Sequence, residues 1–452
     1  MIFRRILIAN RGEIAVRVIR TCQRLGIETV LAASEVDLDS MGARLADLTV
    51  CIGPAKSSAS YLNVEAVVRA AVASKVDAIH PGYGFLSENQ QLAGACNRAG
   101  VIFIGPTPEQ LDAVGDKLKA RAHAAATGLA GVPGGEIRSL DEAQRIADHI
   151  GWPILIKAVG GGGGRGMKLV LDAGALPGAV ELATAEARAS FGDPRLYIER
   201  YVSRGRHIEV QILADGEDVI HLGTRDCSIQ RRYQKLLEEA PALNLSEALR
   251  EEIQRAAVSF ARHLQYRGLG TVEFLVDCDG STFYFLEMNA RIQVEHPVTE
   301  AICGLDLVDE QIAVAEGCKL RWTQKEIKFS GHAIECRINA EDWQHDFRPS
   351  PGTITQADFP AGQGIRVDTH IQAGTTIPPS YDSLLAKLIV HGADRAEALQ
   401  RMRRALSNVG VAGVATNLGM HVEVMRDRQF IRGGVDTGFV QRFLQARSAE
   451  AA

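Results

Sequence analysis

No two cysteines in this chain stand at CxxC spacing. The eight cysteines, Cys22, Cys51, Cys96, Cys227, Cys278, Cys303, Cys318 and Cys336, are scattered. That argues against a zinc site or a disulfide scaffold and fits free thiols in a reducing compartment. No stretch approaches the ~20 apolar residues of a membrane span. The opening "MIFRRILIANRGE" has five uncharged residues between Arg5 and Arg11, too short an apolar core for a signal peptide. The cytoplasm is therefore expected. The net charge of −5 gives no global attraction to nucleic acid or an anionic membrane. Neither GxGxxG after the first apolar run nor GxxxxGK[ST] occurs, so the usual dinucleotide and Walker phosphate loops are missing. There is no internal repeat and no low-complexity tail.

What is present is ordinary globular composition, 46% hydrophobic and 23% charged, over a length that suggests about two to four structural units. Residues 1–113 alternate short apolar runs ("RILIAN", "TVLAAS", "DAIHPG", "VIFIGP") with helical periodicity. A helix is expected from about Glu13 to Leu25, with Glu13, Arg17, Arg20 and Arg24 as its polar stripe. This predicts a doubly wound α/β sheet. Residues 114–330 hold nearly all the unusual chemistry, with 131–204 as a lid-like subdomain. Residues 331–446 read as short strands rich in glycine and proline, followed by helices near Ala396–Leu406 and Asn417–Arg426. The fold class expected is α/β with a mainly β C-terminal domain.

"PILIKAVGGGGGRGMKLV" reads as strand, loop, strand. Glycine loses more backbone freedom on folding than any other residue, so five in a row need a purpose. Exposed N–H groups can wrap an anion, and the pattern predicts a phosphate flap over Gly162, Gly163 and Gly164 with Lys157 at its base. A flexible linker is the alternative, but linkers are rarely flanked by strands. In "RHIEVQILAD", His207, Glu209 and Gln211 alternate with apolar residues. By itself that suggests a strand with its polar face in water.

Glu273 and Glu287 are lone carboxylates in the apolar strands "GTVEFLVD" and "TFYFLEMNA". A three-residue loop pairing Asp277 with Ser281 puts both on one face, with Asn289 two residues on. Carboxylates that close require a cation. Mg²⁺ suits such oxygens and shares them with phosphates. A salt-bridged pair is less expected, because neither strand contains lysine or arginine. "NARIQVEHPVTE" follows at once. Its density of Arg291, Gln293, Glu295 and His296 suggests an active-site loop, with Arg291 as an anion ligand and Glu295 as a general base. Arg231, Arg232 and Lys235 would alone be a solvated basic patch. Together these residues point to ATP-dependent activation of a small acid.

At "IANRGEIA", "HPGYGFLSEN", "KAVGGGGGRGM", "RHIEVQ", "RDCSIQRR", "EEAPA", "EMNARIQVEHPVTE", "ECRINAED" and "YDSLLAKLI" the chain resembles the biotin carboxylase family of the ATP-grasp superfamily, over essentially its whole length. The resemblance implies that ATP and bicarbonate give carboxyphosphate, which breaks down to CO2 and phosphate. Phosphate then deprotonates biotin, whose enolate attacks CO2. It assigns bicarbonate deprotonation to Glu295 and bicarbonate binding to Arg291, Gln293, Val294 and Lys235. Arg337 and Arg291 steady the enolate. Glu273, Glu287 and Asn289 bind Mg²⁺ or Mn²⁺. Lys117 and Lys157 reach the ATP phosphates. Glu199, Arg200, Tyr201 and Val202 form the adenine hinge, with His207, Gln230 and Tyr233 near the ribose.

Tyr233 stands where many members have histidine, and Ala290 replaces a usual threonine. No biotinylation motif of the "MKM" kind occurs. The resemblance therefore implies a separate biotin carboxyl carrier protein, a carboxyltransferase partner and a homodimer, with Asp382 in the domain implicated in such contacts. The acceptor of the final carboxyl group, an acyl-CoA or a keto acid such as pyruvate, stays open. Two further readings are another ATP-grasp carboxylate ligase and a non-catalytic nucleotide-binding scaffold. The intact "RIQVEHP" loop argues against the first, and the presence of Glu295, Arg337 and the metal carboxylates argues against the second.

Overall fold

The computed structural model describes residues 2–160, 167–278 and 282–450. The apolar runs of the first hundred residues form a five-stranded parallel sheet. Its spatial order is Leu48–Gly53, Glu28–Ser34, Arg5–Ile8, Ala78–His80, Ile102–Phe103. Parallel strands are covered on both faces and so read as continuous apolar runs. Leu7, Val30 and Ile79 enter one core, and Ile6, Ile8, Leu31 and Ala78 enter the other.

The strand order reverses between Arg5–Ile8 and Ala78–His80, where α/β sheets open a crevice at the strand ends. Asn10 spans this point, donating to the carbonyls of Pro81 (2.8 Å) and Tyr83 (2.7 Å). Gly82 has φ +63°, and a Cβ there would meet Asn10 Nδ2 at 2.9 Å. Only glycine fits both the left-handed backbone and that approach.

The helix Gly12–Leu25 turns the first half of its charged stripe inward and leaves Arg20 and Arg24 exposed. Glu13 and Arg17 are buried, and Arg17 pairs with Glu300 and Asp306, each at 2.8 Å.

A four-stranded antiparallel sheet, in the order Gly134–Ile137, Leu196–Arg200, Ile154–Ala158, Met167–Val170, carries the helices Leu140–Ile150 and Leu176–Phe191. Ala143, Ala147, Ala183 and Ala187 let these helices approach Ile154, Ile156 and Ile198 closely.

The largest sheet has eight strands. Their order is Phe283–Asn289, Arg267–Asp277, Gly205–Asp215, Val219–Arg231, Gln234–Ala240, His332–Asn339, Leu384–Gly392, Ile365–Thr369. It runs without a break across residue 330, through the pairing of Leu237 with Cys336. The helices Arg395–Leu406 and Leu418–Val424 cover its C-terminal part. Among the described residues, no helix is long and apolar enough to cross a membrane.

Candidate active site

The strand Gly205–Asp215 lies third from one edge of the large sheet, and all of it but Asp215 is buried. Its polar face does not meet water, contrary to the expectation from alternation. Cross-strand pairing sets Arg225 opposite Glu209, Glu209 opposite Glu273, and Glu273 opposite Glu287. One cation and three carboxylates thus form a row across four strands. Gln211, Thr271 and Asn289 make a second row beside it.

Glu273 and Glu287 share a face by a different route from the one expected. The Asp277–Ser281 pairing falls on a residue outside those described. The Asp277 amide instead donates to the Thr282 carbonyl at 2.9 Å. That register alone would put the two glutamates on opposite faces. A bulge at Leu286, where the register shifts between Glu273 and Phe274, brings them into line.

Like charges in a row destabilise a sheet, and three cations offset them here. The ammonium of Lys235, from the neighbouring strand Gln234–Ala240, donates to Glu209, to Glu273 (2.9 Å) and to Glu295 (2.8 Å). Arg225 is fully buried and pairs with Glu209 at 3.0 Å. It also binds Gln211 (2.7 Å), Thr299 (3.0 Å), Thr271 (3.1 Å) and Gln293. His207 Nε2 lies 3.1 Å from Glu209 and 3.0 Å from Glu273. The absence of lysine and arginine from "GTVEFLVD" and "TFYFLEMNA" was therefore misleading, because Lys235 reaches Glu273 from elsewhere. Lys235 is no part of a solvated patch, whereas Arg232 remains exposed.

Protonation follows from this packing. Burial disfavours the Lys235 ammonium, but Glu209, Glu273 and Glu295 outweigh it and hold its pKa well above the usual value. Burial raises Glu295, yet Lys235 and Arg337 bring it down to about 2. Glu273 is likewise held well below its usual range by Lys235 and His207, against burial. Glu287 is pushed the other way, by burial and then by the Glu273 charge opposite.

A carboxyl raised in this manner fits a site for a hard divalent cation, whose charge would relieve the repulsion. Asn289 adds an amide that donates to Glu273 at 2.8 Å. The ligand atoms of His207, Glu209 and Glu273 also lie within 4.8 Å of one another, but the Lys235 ammonium already neutralises that group.

The loop after Asn289 is tied on every side. Arg291 Nε donates to Glu88 at 2.8 Å and its Nη2 to Asn289 at 2.8 Å. Glu88, the acid of "HPGYGFLSEN", also accepts from the Ala290 amide at 2.8 Å. Gln293 donates to Glu273 at 2.9 Å. The Val294 carbonyl accepts from Lys387 at 3.0 Å. Glu295 is clamped on its other oxygen by Arg337 Nη2 at 2.9 Å.

On the small sheet, Lys157 pairs with Glu199, and Arg121 lies 4.0 Å from the same carboxylate. Arg200 donates to Tyr284 at 2.8 Å, and the Tyr201 amide donates to Pro153 at 3.0 Å. Val202 follows them and is half-buried. Lys117 begins the helix Lys117–Ala126. Burial lowers its pKa, with Lys157 adding to the effect and Glu287 opposing it. Gln230 donates to the Cys227 carbonyl at 2.7 Å. Tyr233 sits 45% exposed at φ +66° in the tight turn between two strands. Gly162, Gly163 and Gly164 lie outside the described residues.

Sequence reasoning missed Glu88, Arg225, Glu238 and Lys387, which touch the catalytic candidates from distant segments. Their one mark in the sequence was a place inside the motifs that carry the family resemblance.

Comparison with known proteins agrees with this architecture. Residues 2–111 match the family "Biotin carboxylase, N-terminal domain", residues 116–323 "Carbamoyl-phosphate synthase L chain, ATP binding domain", and residues 335–442 "Biotin carboxylase C-terminal domain". The biotin carboxylase of Nostoc sp. is 51% identical over 98% of this chain and 99% of its own length. A pyruvate carboxylase subunit of Methanothermobacter thermautotrophicus is 49% identical, over 99% of this chain and 91% of its own. The biotin carboxylase domain dimer of Hydrogenobacter thermophilus 2-oxoglutarate carboxylase, in complex with MgADP, ADP and bicarbonate, superimposes with a TM-score of 0.94. It is 44% identical, and 98% of each chain is covered. Biotin carboxylase from Campylobacter jejuni in its β-γ-ATP complex also gives 0.94 at 44% identity, over 97% and 99% of the two chains. The fold is that of an ATP-grasp ligase. Within that class, the chain belongs to the biotin carboxylase family.

Proposed function

We propose that the chain carboxylates biotin, borne on a separate carrier protein, using ATP and bicarbonate. The observation that carries this reading is Glu295, ionised and clamped between Lys235 and Arg337 beside the facing carboxylates Glu273 and Glu287. An ionised carboxylate can accept the bicarbonate proton. Its basicity is low while Lys235 and Arg337 both hold it, and it rises when a bound anion draws Lys235 away. Lys235 and Arg291, with Gln293 and the backbone of Val294, bind bicarbonate.

Once Glu295 takes the proton, the bicarbonate oxygen attacks the γ-phosphorus and the bond to ADP breaks. Carboxyphosphate then releases CO2. The phosphate left behind takes the proton from the biotin ureido nitrogen, and the enolate attacks CO2. Arg337 and Arg291 stabilise the enolate charge. Glu273, Glu287 and Asn289 would hold Mg²⁺ or Mn²⁺, which would neutralise phosphate charge. Lys117 and Lys157 bind ATP phosphates, and Gly162 to Gly164 close over them and exclude water. Glu199, Arg200, Tyr201 and Val202 receive adenine. His207, Gln230 and Tyr233 lie near the ribose.

The functional units follow as 1–113, 114–330 with the lid 131–204, and 331–446. The partners are a biotin carboxyl carrier protein, a carboxyltransferase and a second copy of this chain. The dimeric Hydrogenobacter thermophilus relative supports the last. Eight free cysteines suit the cytoplasm. Relatives include both proteins named biotin carboxylase and one that belongs to a pyruvate carboxylase, and the acceptor binds the partner rather than this chain.

The test is ADP release from MgATP and bicarbonate, with and without free biotin, beside Glu295→Gln. Biotin-stimulated release that needs bicarbonate and disappears in the variant supports the reading. Release indifferent to both points to another carboxylate ligase, and none under any condition points to a scaffold.

A further inference from the structure

Behind Arg337 lies a pair of acids that the reaction scheme does not use. Glu238 and Glu335 are paired across adjacent strands and have no exposed surface. Among the described residues, neither oxygen of Glu335 accepts a hydrogen bond. Glu238 Oε1 is 2.7 Å from Arg337 Nε, an ion pair too bent to count as a hydrogen bond. Arg337 thus meets Glu238 through Nε and Glu295 through Nη2, and 14% of its side chain stays open to the site. Two buried carboxylates side by side without donors would be prohibitive if both were charged.

The surrounding charges divide the roles. Glu238 faces Arg337, Glu295, Lys235 and Glu209 as well as Glu335, and burial pushes it up to about 7. Burial, with Glu238 adding to it, raises Glu335 well above the carboxylate range against the pull of Lys387. The 2.7 Å contact with Arg337 Nε assigns the charge of the pair to Glu238, and Glu335, whose oxygens meet no donor among the described residues, is the acid that stays neutral.

We propose that Glu238 is a positioning residue for Arg337. Its carboxylate grips the Nε edge and holds the guanidinium between Glu295 and the open site, with Glu335 as its uncharged backing. Only the use Arg337 makes of that position rests on the biotin carboxylase reading. Without the grip, Glu295 is the one carboxylate among the described residues left paired with the arginine. The arginine would then follow that carboxylate, instead of remaining in place when Glu295 gives up its ion pair and takes a proton.

The experiment uses full-length Glu238→Ala, Glu238→Gln, Glu238→Asp and Glu335→Gln. Glu238→Ala should lower biotin-stimulated kcat by about 100-fold, the scale of an ångström misplacement, with KM for ATP within about twofold of the parent. Glu238→Gln should recover to within about tenfold, because the amide oxygen keeps the same shape and a partial negative charge beside Nε. Glu335→Gln should stay within about threefold, an amide being as neutral as the protonated acid.

Crystals of Glu238→Ala should have the Arg337 guanidinium displaced. An Arg337 that has not moved overturns the proposal. So does a Gln variant as impaired as Ala, or a Glu335→Gln variant as impaired as Glu238→Ala. If Glu238→Ala does not fold, Glu238→Asp withdraws the carboxylate by one methylene. It should displace Arg337 and lower kcat by about tenfold, and an unchanged rate with Arg337 in place overturns the proposal. Parent enzyme without biotin-stimulated turnover would refute the assigned reaction, and the position of Arg337 in the variant crystals would still decide this inference.

Discussion

Lys387, which has no exposed surface, stands 3.1 Å from the carboxylate of Glu13. The pair joins a strand of the large sheet to the first helix of the chain. Tyr83 donates to the same glutamate, and Asp368 lies 3.6 Å from the ammonium. Lys387 also holds the Val294 carbonyl, one residue before Glu295. Motifs at the start, near residue 83, in the loop after Asn289 and near residue 387 therefore meet at one buried cation.

Removing one partner of a buried ion pair typically costs about 3–5 kcal/mol. Lys387→Met should lower the thermal midpoint by several degrees and slow turnover, because Val294 and Glu295 lose their anchor. A variant as stable and as active as the parent would show that the pair only fills space.

Glu295→Gln preserves shape and removes the proposed base. Biotin-stimulated ADP release should fall at least about 100-fold, within the usual range for a general base, while MgATP binding by calorimetry stays within about threefold. A loss of nucleotide affinity as large as the loss of rate would count against the assignment.

Lys157 is held by Glu199 on the small sheet. In Lys157→Met, KM for ATP should rise by about tenfold or more, since a charge-assisted contact to phosphate is lost. Steady-state kinetics at varied ATP would reveal it, and an unchanged KM would remove Lys157 from the phosphate site.

Five histidines give acid sensitivity: burial holds His296 well below its usual value and lowers His221 to about 4. Burial lowers His80 and His421 to about 4 and His370 to about 3, from an ordinary 6.5. His421 Nε2 lies 2.7 Å from the Arg337 carbonyl, so its ring is locked in place. The unfolded chain binds these protons near pH 6.5, whereas the folded protein resists them until pH 3 to 4. The contribution of these histidines to stability is therefore complete above 6.5 and declines as pH falls through that window, at up to about 1.4 kcal/mol per pH unit for each group, while His207 and Glu238, raised to about 9 and about 7, act in the opposite sense. Thermal midpoints between pH 7.5 and 4.5 should fall, and His421→Gln should flatten the curve. A midpoint independent of pH across this range would refute it.

Much of the site was legible in local patterns. Glu273, Glu287 and Asn289 stood out as polar residues in apolar strands, and the "NARIQVEH" loop stood out by density. Both readings depend only on neighbours along the chain. The polar face of "RHIEVQILAD" was misread because alternation reveals that a strand has two faces but not what covers each. Here the flanking strands and Arg225 cover the face expected in water. Tyr233 was legible as a departure from the family pattern, but not as a residue in a left-handed turn.

Period and composition were enough to establish the parallel N-terminal sheet, the strand–glycine–strand element and the identity of the charged residues, since backbone geometry makes those short-range properties. Tertiary structure decided their pairing. A bulge at Leu286 aligned Glu273 with Glu287. Lys235 became the shared partner of three carboxylates, and Glu238 came to rest against Arg337. Charge interactions depend on distance and burial, and neither exists until segments far apart in the sequence have been packed together.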